Sequence, residues 1–195
     1  FTCALSLSVN FFLIILLYVF TSLTYSLFTK TIVLLDVLFL SFFYLIRLIA
    51  GSIATRTFVS FWLLAFTIFF FLAISFFKRY SEMNSHQDIR HLQFNRRAYQ
   101  ISDSPLILNL GVTSGFSAIL LLTLYVHDPS TSNLYARPEL LLGLVPCTTF
   151  IIGTLSIDVS RGIEIEDPVL YLLKTRKIQI ALLIMVATII LANMG

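Results

Sequence analysis

Phe77-Lys78-Arg79-Tyr80-Ser81-Glu82-Met83 marks the point where the chain changes character. It closes an almost unbroken apolar run that begins at Phe61. Polar residues continue through Arg97 to Asp103, and a second apolar run, Leu106 to Val126, then takes over. Both runs fall within the roughly 17–25 residues that a helix needs to cross a bilayer. The charged stretch is thus the widest polar gap between two membrane-length segments. Lys78, Arg79, Arg90, Arg96 and Arg97 place fixed positive charge at the mouth of an apolar helix, and Glu82, Asp88 and Asp103 add carboxylates. Cations held near lipid headgroups suit an anionic or pyrophosphate-bearing substrate.

The whole chain shares this apolar character. Of its 195 residues 58% are apolar and 12% charged, with a mean hydropathy of +0.93, against roughly 25% charged in soluble domains. The expectation is an all-α, polytopic membrane helix bundle. Six spans are predicted: Leu5–Tyr25, Ile32–Ala54, Ser60–Phe77, Leu106–Val126, Glu139–Ile157 and Ile178–Met194. Ser104-Pro105 suits a helix start, and Pro146 predicts a kink in the fifth span. No repeat or low-complexity linker divides residues 1–195, so a single transmembrane domain is expected.

Six spans place the loops alternately on two sides. One side holds Lys30, Lys78, Arg79, Arg90, Arg96, Arg97, Arg161, Lys174, Arg176 and Lys177, and the other holds Arg56 and Arg137. By the positive-inside rule the charged loops are expected in the cytoplasm, in a protein of the cell (inner) membrane. A net charge of +3 carried in short loops does not make a nucleic-acid-binding face. Cys3 and Cys147 lie in apolar segments, and His86, His91 and His127 lie in loops; neither set has metal-ligand spacing. The chain begins at Phe1 with no basic n-region or cleavage site of a signal peptide, so the start is expected to be a cut inside a longer protein.

Several residues stand out against the apolar background. Asp36 and Arg47 interrupt the second span, and an intramembrane charge costs about 2.5–3.5 kcal/mol on insertion scales. Both are therefore expected to point inward, Arg47 as partner of a polar group or as a substrate ligand. Lys78 and Glu82 are four apart and share a helical face. They form either a solvated ion pair or a site in which Lys78 and Arg79 hold phosphate oxygens while Glu82 orients a hydroxyl or a metal-bound water. Lys30 suits a headgroup anchor and Tyr25 an interfacial aromatic. Arg96, Arg97 and Tyr99 form either a lid or a basic loop drawn to anionic lipid. Asp167, Lys174 and Arg176 order the last large loop.

Three stretches together resemble the UbiA superfamily of intramembrane prenyltransferases, and within it the decaprenyl-phosphate phosphoribosyltransferase branch. The first is Tyr25-Ser26-Leu27-Phe28-Thr29-Lys30 with Leu34-Leu35-Asp36-Val37-Leu38. The second is Leu45-Ile46-Arg47-Leu48-Ile49-Ala50-Gly51, then Ser60-Phe61-Trp62-Leu63-Leu64 and Lys78-Arg79-Tyr80-Ser81-Glu82-Met83. The third is Asp167-Pro168 with Leu172-Leu173-Lys174 and Arg176. The resemblance implies a bundle of about nine spans around a cavity open to the cytoplasm and to lipid. It implies transfer of a phosphoribosyl group from phosphoribosyl pyrophosphate to a polyprenyl phosphate, a cell-wall-precursor lipid, with Mg2+.

On that resemblance Lys78, Arg79 and Glu82 are the catalytic candidates. Tyr25, Lys30, Asp36, Arg47, Arg97, Asp167, Lys174 and Arg176 are the substrate-binding candidates, Lys30 as a phosphate contact. The family's Asn-Asp-x-x-Asp motif has no counterpart, so the chain corresponds to the C-terminal two-thirds of the domain, and the main Mg2+ ligands are expected upstream of Phe1. Lys78-Arg79-x-x-Glu82 stands where aromatic prenyltransferases carry a second Asp-rich motif, and Thr175 stands where the branch has an acid. The alternatives are prenyl transfer from a polyprenyl pyrophosphate to an aromatic or other acceptor, and an inactive or transport-type membrane protein.

Overall fold

Hydrocarbon offers no hydrogen-bond partner to the backbone, so each apolar run satisfies its peptide groups internally as a helix. The computed structural model describes residues 9–57, 59–84, 99–132, 134–165 and 167–194. In chain order the helices are α1 (Val9–Leu27), α2 (Leu35–Thr55), α3 (Phe61–Asn84), α4 (Ser104–His127), α5 (Pro129–Ser132), α6 (Leu144–Ser160), α7 (Pro168–Lys174) and α8 (Arg176–Asn193). Short 3-10 turns occupy Thr29–Thr31, Ile101–Asp103 and Pro138–Gly143. Six helical segments are long and apolar enough to cross a membrane, and no strand occurs among the described residues. The all-α membrane bundle is as expected, and the protein is an integral membrane protein.

Two boundaries depart from expectation for physical reasons. The third span does not stop at Phe77: α3 runs on to Asn84, because Phe77, Arg79, Ser81 and Met83 are all buried and hold its last turns. Pro146 falls in the first turn of α6, after the 3-10 turn has ended at Gly143. A missing N–H there breaks no intrahelical bond, so the proline starts a helix rather than kinking one.

The most extensive packing is α3 against α4; α2 packs on α3, α6 on α4, α8 on α6, and α1 on α2. Lipid tails are as apolar as leucine, so helix association depends on close fit rather than on hydrophobic burial. The fit is visible on α4, where Gly111, Ser114, Gly115 and Ala118 are buried. A Cβ at Gly111 would stand 2.9 Å from Phe77 Cε1, and one at Gly115 would stand 2.5 Å from Ile152 Cγ2. The glycines thus let α3 and α6 approach α4. Ala73, Ile74, Phe77, Ile151, Ile152, Leu155, Ile178 and Ala181 form the core where α3, α6 and α8 meet.

The bundle has two chemically different ends. At one, the Arg137 N–H donates to Ala192 O at 3.0 Å and Ser60 Oγ donates to Asp128 Oδ2 at 3.2 Å. The other gathers the start of α2, the ends of α3 and α6, α7 and the start of α8, and with them most of the basic residues.

Replacing Gly115 by Val is expected to destabilise the bundle by about 1–3 kcal/mol through overpacking against Ile152. Gly153 has open space where a Cβ would stand, so Gly153→Ala is expected to be neutral or slightly stabilising. Unfolding of both variants in mixed detergent micelles measures the difference.

Candidate functional site

Asp36 lies in the first turn of α2 and is fully buried. A carboxylate there faces the positive end of the helix dipole, and its Oδ1 accepts from the Val37 N–H at 2.8 Å. Arg79 leaves α3 among Phe76, Phe77 and Met83 and is 1% exposed. Its Nε donates to Asp36 Oδ2 at 2.5 Å, and its Nη1 donates to Glu82 Oε2 three residues along the helix. Tyr99 supplies the remaining wall: its hydroxyl donates to Asp36 Oδ1 at 2.6 Å and accepts from the Leu34 N–H at 2.9 Å. Leu34 holds a positive φ of 68° at this junction, a conformation that costs a branched residue about 1–3 kcal/mol and persists only where neighbours fix it. Val37, Phe76, Met83, Tyr99 and Ile107 pack together at this junction, where Asp36 and Arg79 are buried and Glu82 keeps its side chain 24% exposed.

Burial, and after it the hydrogen bond to Asp36, pushes the Tyr99 phenol well above the ordinary tyrosine range. The proton therefore stays on Tyr99 as a donor. The stabilisation this carries is complete below the unfolded value of about 10 and is lost as pH rises through the higher folded value.

The loop after α6 is tied to the same end of α3. The Ile165 N–H donates to Ser81 Oγ at 2.8 Å, and Tyr171 OH donates to Asp158 Oδ2 at 2.6 Å. Asp167 caps α7, its Oδ1 accepting from the Val169 N–H at 2.9 Å and the Leu170 N–H at 3.2 Å, with Pro168 opening the helix. Burial, then the bond to Asp158, raises the Tyr171 phenol as well.

The structure brings Asp36, Arg79 and Glu82 together, with Tyr25 within electrostatic reach of Arg79. Tyr25 packs its ring on Phe39 and Phe43 of α2, holding α1 in place. The helical spacing that pairs Glu82 with Lys78 is superseded: its carboxylate goes to Arg79. Lys78 precedes Arg79 on α3 and is half-buried. Arg47 is exposed rather than inward, held by tyrosines in the middle of α2. Asp167, Lys174 and Arg176 are exposed on and beside α7, outside the cluster. Lys30 sits in the turn before α2 with its side chain outside the described atoms, and Arg97, Arg96 and Arg90 lie outside the described residues.

Tyr99 as the partner of Asp36 is absent from the sequence reading. The signal that fixes it is Gln100-x-x-Asp103, a capping box in which the Gln100 N–H donates to Asp103 Oδ2 at 2.9 Å and so fixes Tyr99 ahead of α4.

Among the described residues no three His, Cys, Asp or Glu side chains are grouped to hold a metal ion. Mg2+ takes near-octahedral oxygen coordination, whereas both Asp36 oxygens accept from Arg79, Tyr99 and Val37. The residues of this cluster do not fit the Mg2+ that the family resemblance implies.

No family model matches the chain. It is 29% identical over 136 residues to "Uncharacterized protein y4nM" of Sinorhizobium fredii, covering 69% of the chain and 26% of that protein. It is 28% identical over 131 residues to "Nodulation protein NoeC" of Azorhizobium caulinodans, covering 67% of the chain and 43% of that protein. The chain therefore spans well under two thirds of the length of these curated relatives.

Breaking a buried ion pair from one side leaves a bare charge and costs about 3–5 kcal/mol, whereas replacing both partners by apolar groups is near neutral. Asp36→Ala is expected to lower stability by that amount, and Asp36→Leu with Arg79→Met to recover most of it. Tyr99→Phe is expected to cost about 1.5–3 kcal/mol, the range for a hydrogen bond to a charged group. Thermal unfolding in detergent, read by size exclusion, ranks the three.

Proposed function

We propose that the chain is part of a UbiA-type membrane transferase that moves a phosphoribosyl group from phosphoribosyl pyrophosphate to a polyprenyl phosphate. The proposed orientation puts the basic end in the cytoplasm of a cell-membrane protein. One observation carries the reading: an apolar bundle holds at one end a buried Asp36–Arg79 ion pair joined by the partly exposed Glu82, with Lys78 next to Arg79 in the chain and Lys174 and Arg176 on the tethered loop. The resemblance of the three sequence stretches supplies the substrate class.

In this proposal the residues divide their work. Asp36, Arg79 and Glu82 are positioning residues: they lock the ends of α2 and α3 and fix the backbone that bears Lys78. Lys78 then meets phosphate oxygens at the edge of the cluster, with Lys174 and Arg176 supplying more positive charge as the loop covers the headgroup. An oxygen of the lipid phosphate forms a bond to the anomeric carbon of ribose, the bond from that carbon to pyrophosphate breaks, and the leaving pyrophosphate carries away the electron pair. Fixed cations stabilise the charge that develops on the leaving oxygens. The prenyl tail remains in the bilayer against the exposed apolar faces of the helices. Mg2+ enters this proposal only through the resemblance, with ligands outside the described residues.

Lys78→Ala is expected to lower transfer at least about 100-fold, the scale of losing one charge-stabilising donor, while expression and insertion stay intact; Lys78→Arg is expected to retain part of the rate. Membranes containing the protein are supplied with labelled phosphoribosyl pyrophosphate and decaprenyl phosphate, and label in the lipid phase is counted. Near-normal turnover of Lys78→Ala removes Lys78 from the site. Transfer from an isoprenyl pyrophosphate to an aromatic acceptor, with none from phosphoribosyl pyrophosphate, assigns the chain to the prenylating alternative.

A further inference from the structure

Phe71, Lys78 and Ser81 share one face of α3. Lys78 is seven residues after Phe71 and three before Ser81, so at about 100° per residue the three fall within roughly 80° of one another around the helix axis. The polypeptide that follows α6 meets this face at Ser81. There the Ser81 Oγ accepts from the Ile165 N–H at 2.8 Å, with Ser81 4% and Ile165 2% exposed. Two residues further on, Asp167 lies within electrostatic reach of Tyr44 on α2. The Tyr44 ring is stacked flat on Phe71, with centroids 3.8 Å apart and planes 2° off parallel. The segment from Ile165 to Asp167 therefore runs from Ser81 toward the Tyr44–Phe71 stack, past the turn of α3 that bears Lys78.

Beyond that segment the course of the loop is fixed by its own contacts. Asp167 caps α7, Pro168 and Leu172 are buried, and Tyr171 OH donates to Asp158 Oδ2 at 2.6 Å. α7 ends at Lys174 and α8 begins at Arg176. These two cations are thus carried on a frame that is hydrogen-bonded to α3 at Ser81, one turn from Lys78. The bond has a mechanical consequence. A buried N–H left without an acceptor is expensive, so removing the Ser81 oxygen gives the Ile165 amide a reason to seek water, and water reaches it only when the loop leaves α3. Gly162, at a φ of 79°, supplies a turn three residues earlier about which the segment can swing.

We propose that Ser81 is a positioning residue for phosphoribosyl transfer: by holding the Ile165 N–H it keeps the loop between α6 and α8 against α3, so that Lys78, Lys174 and Arg176 meet the same pyrophosphate group of the substrate. The proposal rests on the transferase reading and gives a role to a side chain that does not itself touch substrate.

The test reconstitutes the protein in lipid nanodiscs and follows amide hydrogen exchange by mass spectrometry beside transfer from labelled phosphoribosyl pyrophosphate to decaprenyl phosphate. Ser81→Ala is expected to speed exchange across residues 163–171 about tenfold, the scale of one lost hydrogen bond, and to leave exchange in α4 unchanged. It is expected to raise KM for phosphoribosyl pyrophosphate about fivefold or more with little change in kcat, the pattern of lost substrate binding. Ser81→Thr, which keeps the hydroxyl, is expected to restore both. Added to Lys174→Ala with Arg176→Ala, Ser81→Ala is expected to raise KM no further, because the loop then has no cations left to misplace. Unchanged exchange in Ser81→Ala overturns the proposal whatever the transfer rate. Exchange that quickens in α4 as well, or a rise in KM that multiplies with that of the loop variant, reduces Ser81 to a general structural residue and also overturns it. Faster loop exchange with a normal KM does the same. Absence of transfer by the unaltered protein is a different failure: it overturns the transferase reading itself, and this proposal falls with it.

Discussion

The pairing of Asp36 with Arg79 is the constraint on which the charged end of this protein depends. Neither ion is tolerable alone where water is excluded, and each can be there only because the other is. The partners lie 43 residues apart, so their meeting fixes the register of α2 against α3. That register in turn fixes where Leu34 turns into α2 and where Tyr99 must stand to reach the second carboxylate oxygen. A single buried carboxylate thus joins three segments, those entering α2, leaving α3 and entering α4. The apolar side chains around it pack to a geometry that the ions have already set.

Elsewhere the bundle is held by fit rather than charge. Apolar surface gains little by leaving lipid for protein, and α4 carries glycine at two places, Gly111 and Gly115, where a Cβ would meet a neighbouring helix too closely. Both devices serve the same end, because the approach of Phe77 to Gly111 positions the turn of α3 that carries Arg79. A displacement at the glycine seam moves the guanidinium, and loss of the ion pair frees the last turns of α3.

The helices were legible because each is a membrane-length apolar run, and periodicity was hardly needed. What escaped is what depends on contacts distant in sequence. The extension of α3 to Asn84 rests on packing that only the assembled bundle supplies, since by composition the apolar run ends at Phe77. The short α7 was announced by Asp167-Pro168, a cap followed by a proline, but seven residues are too few for a hydrophobic pattern to declare itself. Asp36 was visible as a charge inside a span, and its inward direction followed from cost alone. Arg47 is exposed and held by Tyr18 and Tyr44, an arrangement that suits a guanidinium and that a carboxylate lacks. Lys78 and Arg79 are neighbours, and nothing local decides which of two adjacent cations turns inward. The partner on α2 decides it.

That choice bears on what each cation is free to do. Arg79 is buried and gives Nε to Asp36 and Nη1 to Glu82, so recruiting it to an incoming phosphate would mean breaking a buried ion pair. A group that grips a substrate must exchange water for ligand at low cost, and a half-buried lysine on the next position of the same helix meets that requirement. In the proposed transferase the two residues are complementary. The arginine's permanent pairing makes α3 rigid, and rigidity is what lets the lysine's charge be held ready at one place before the substrate arrives.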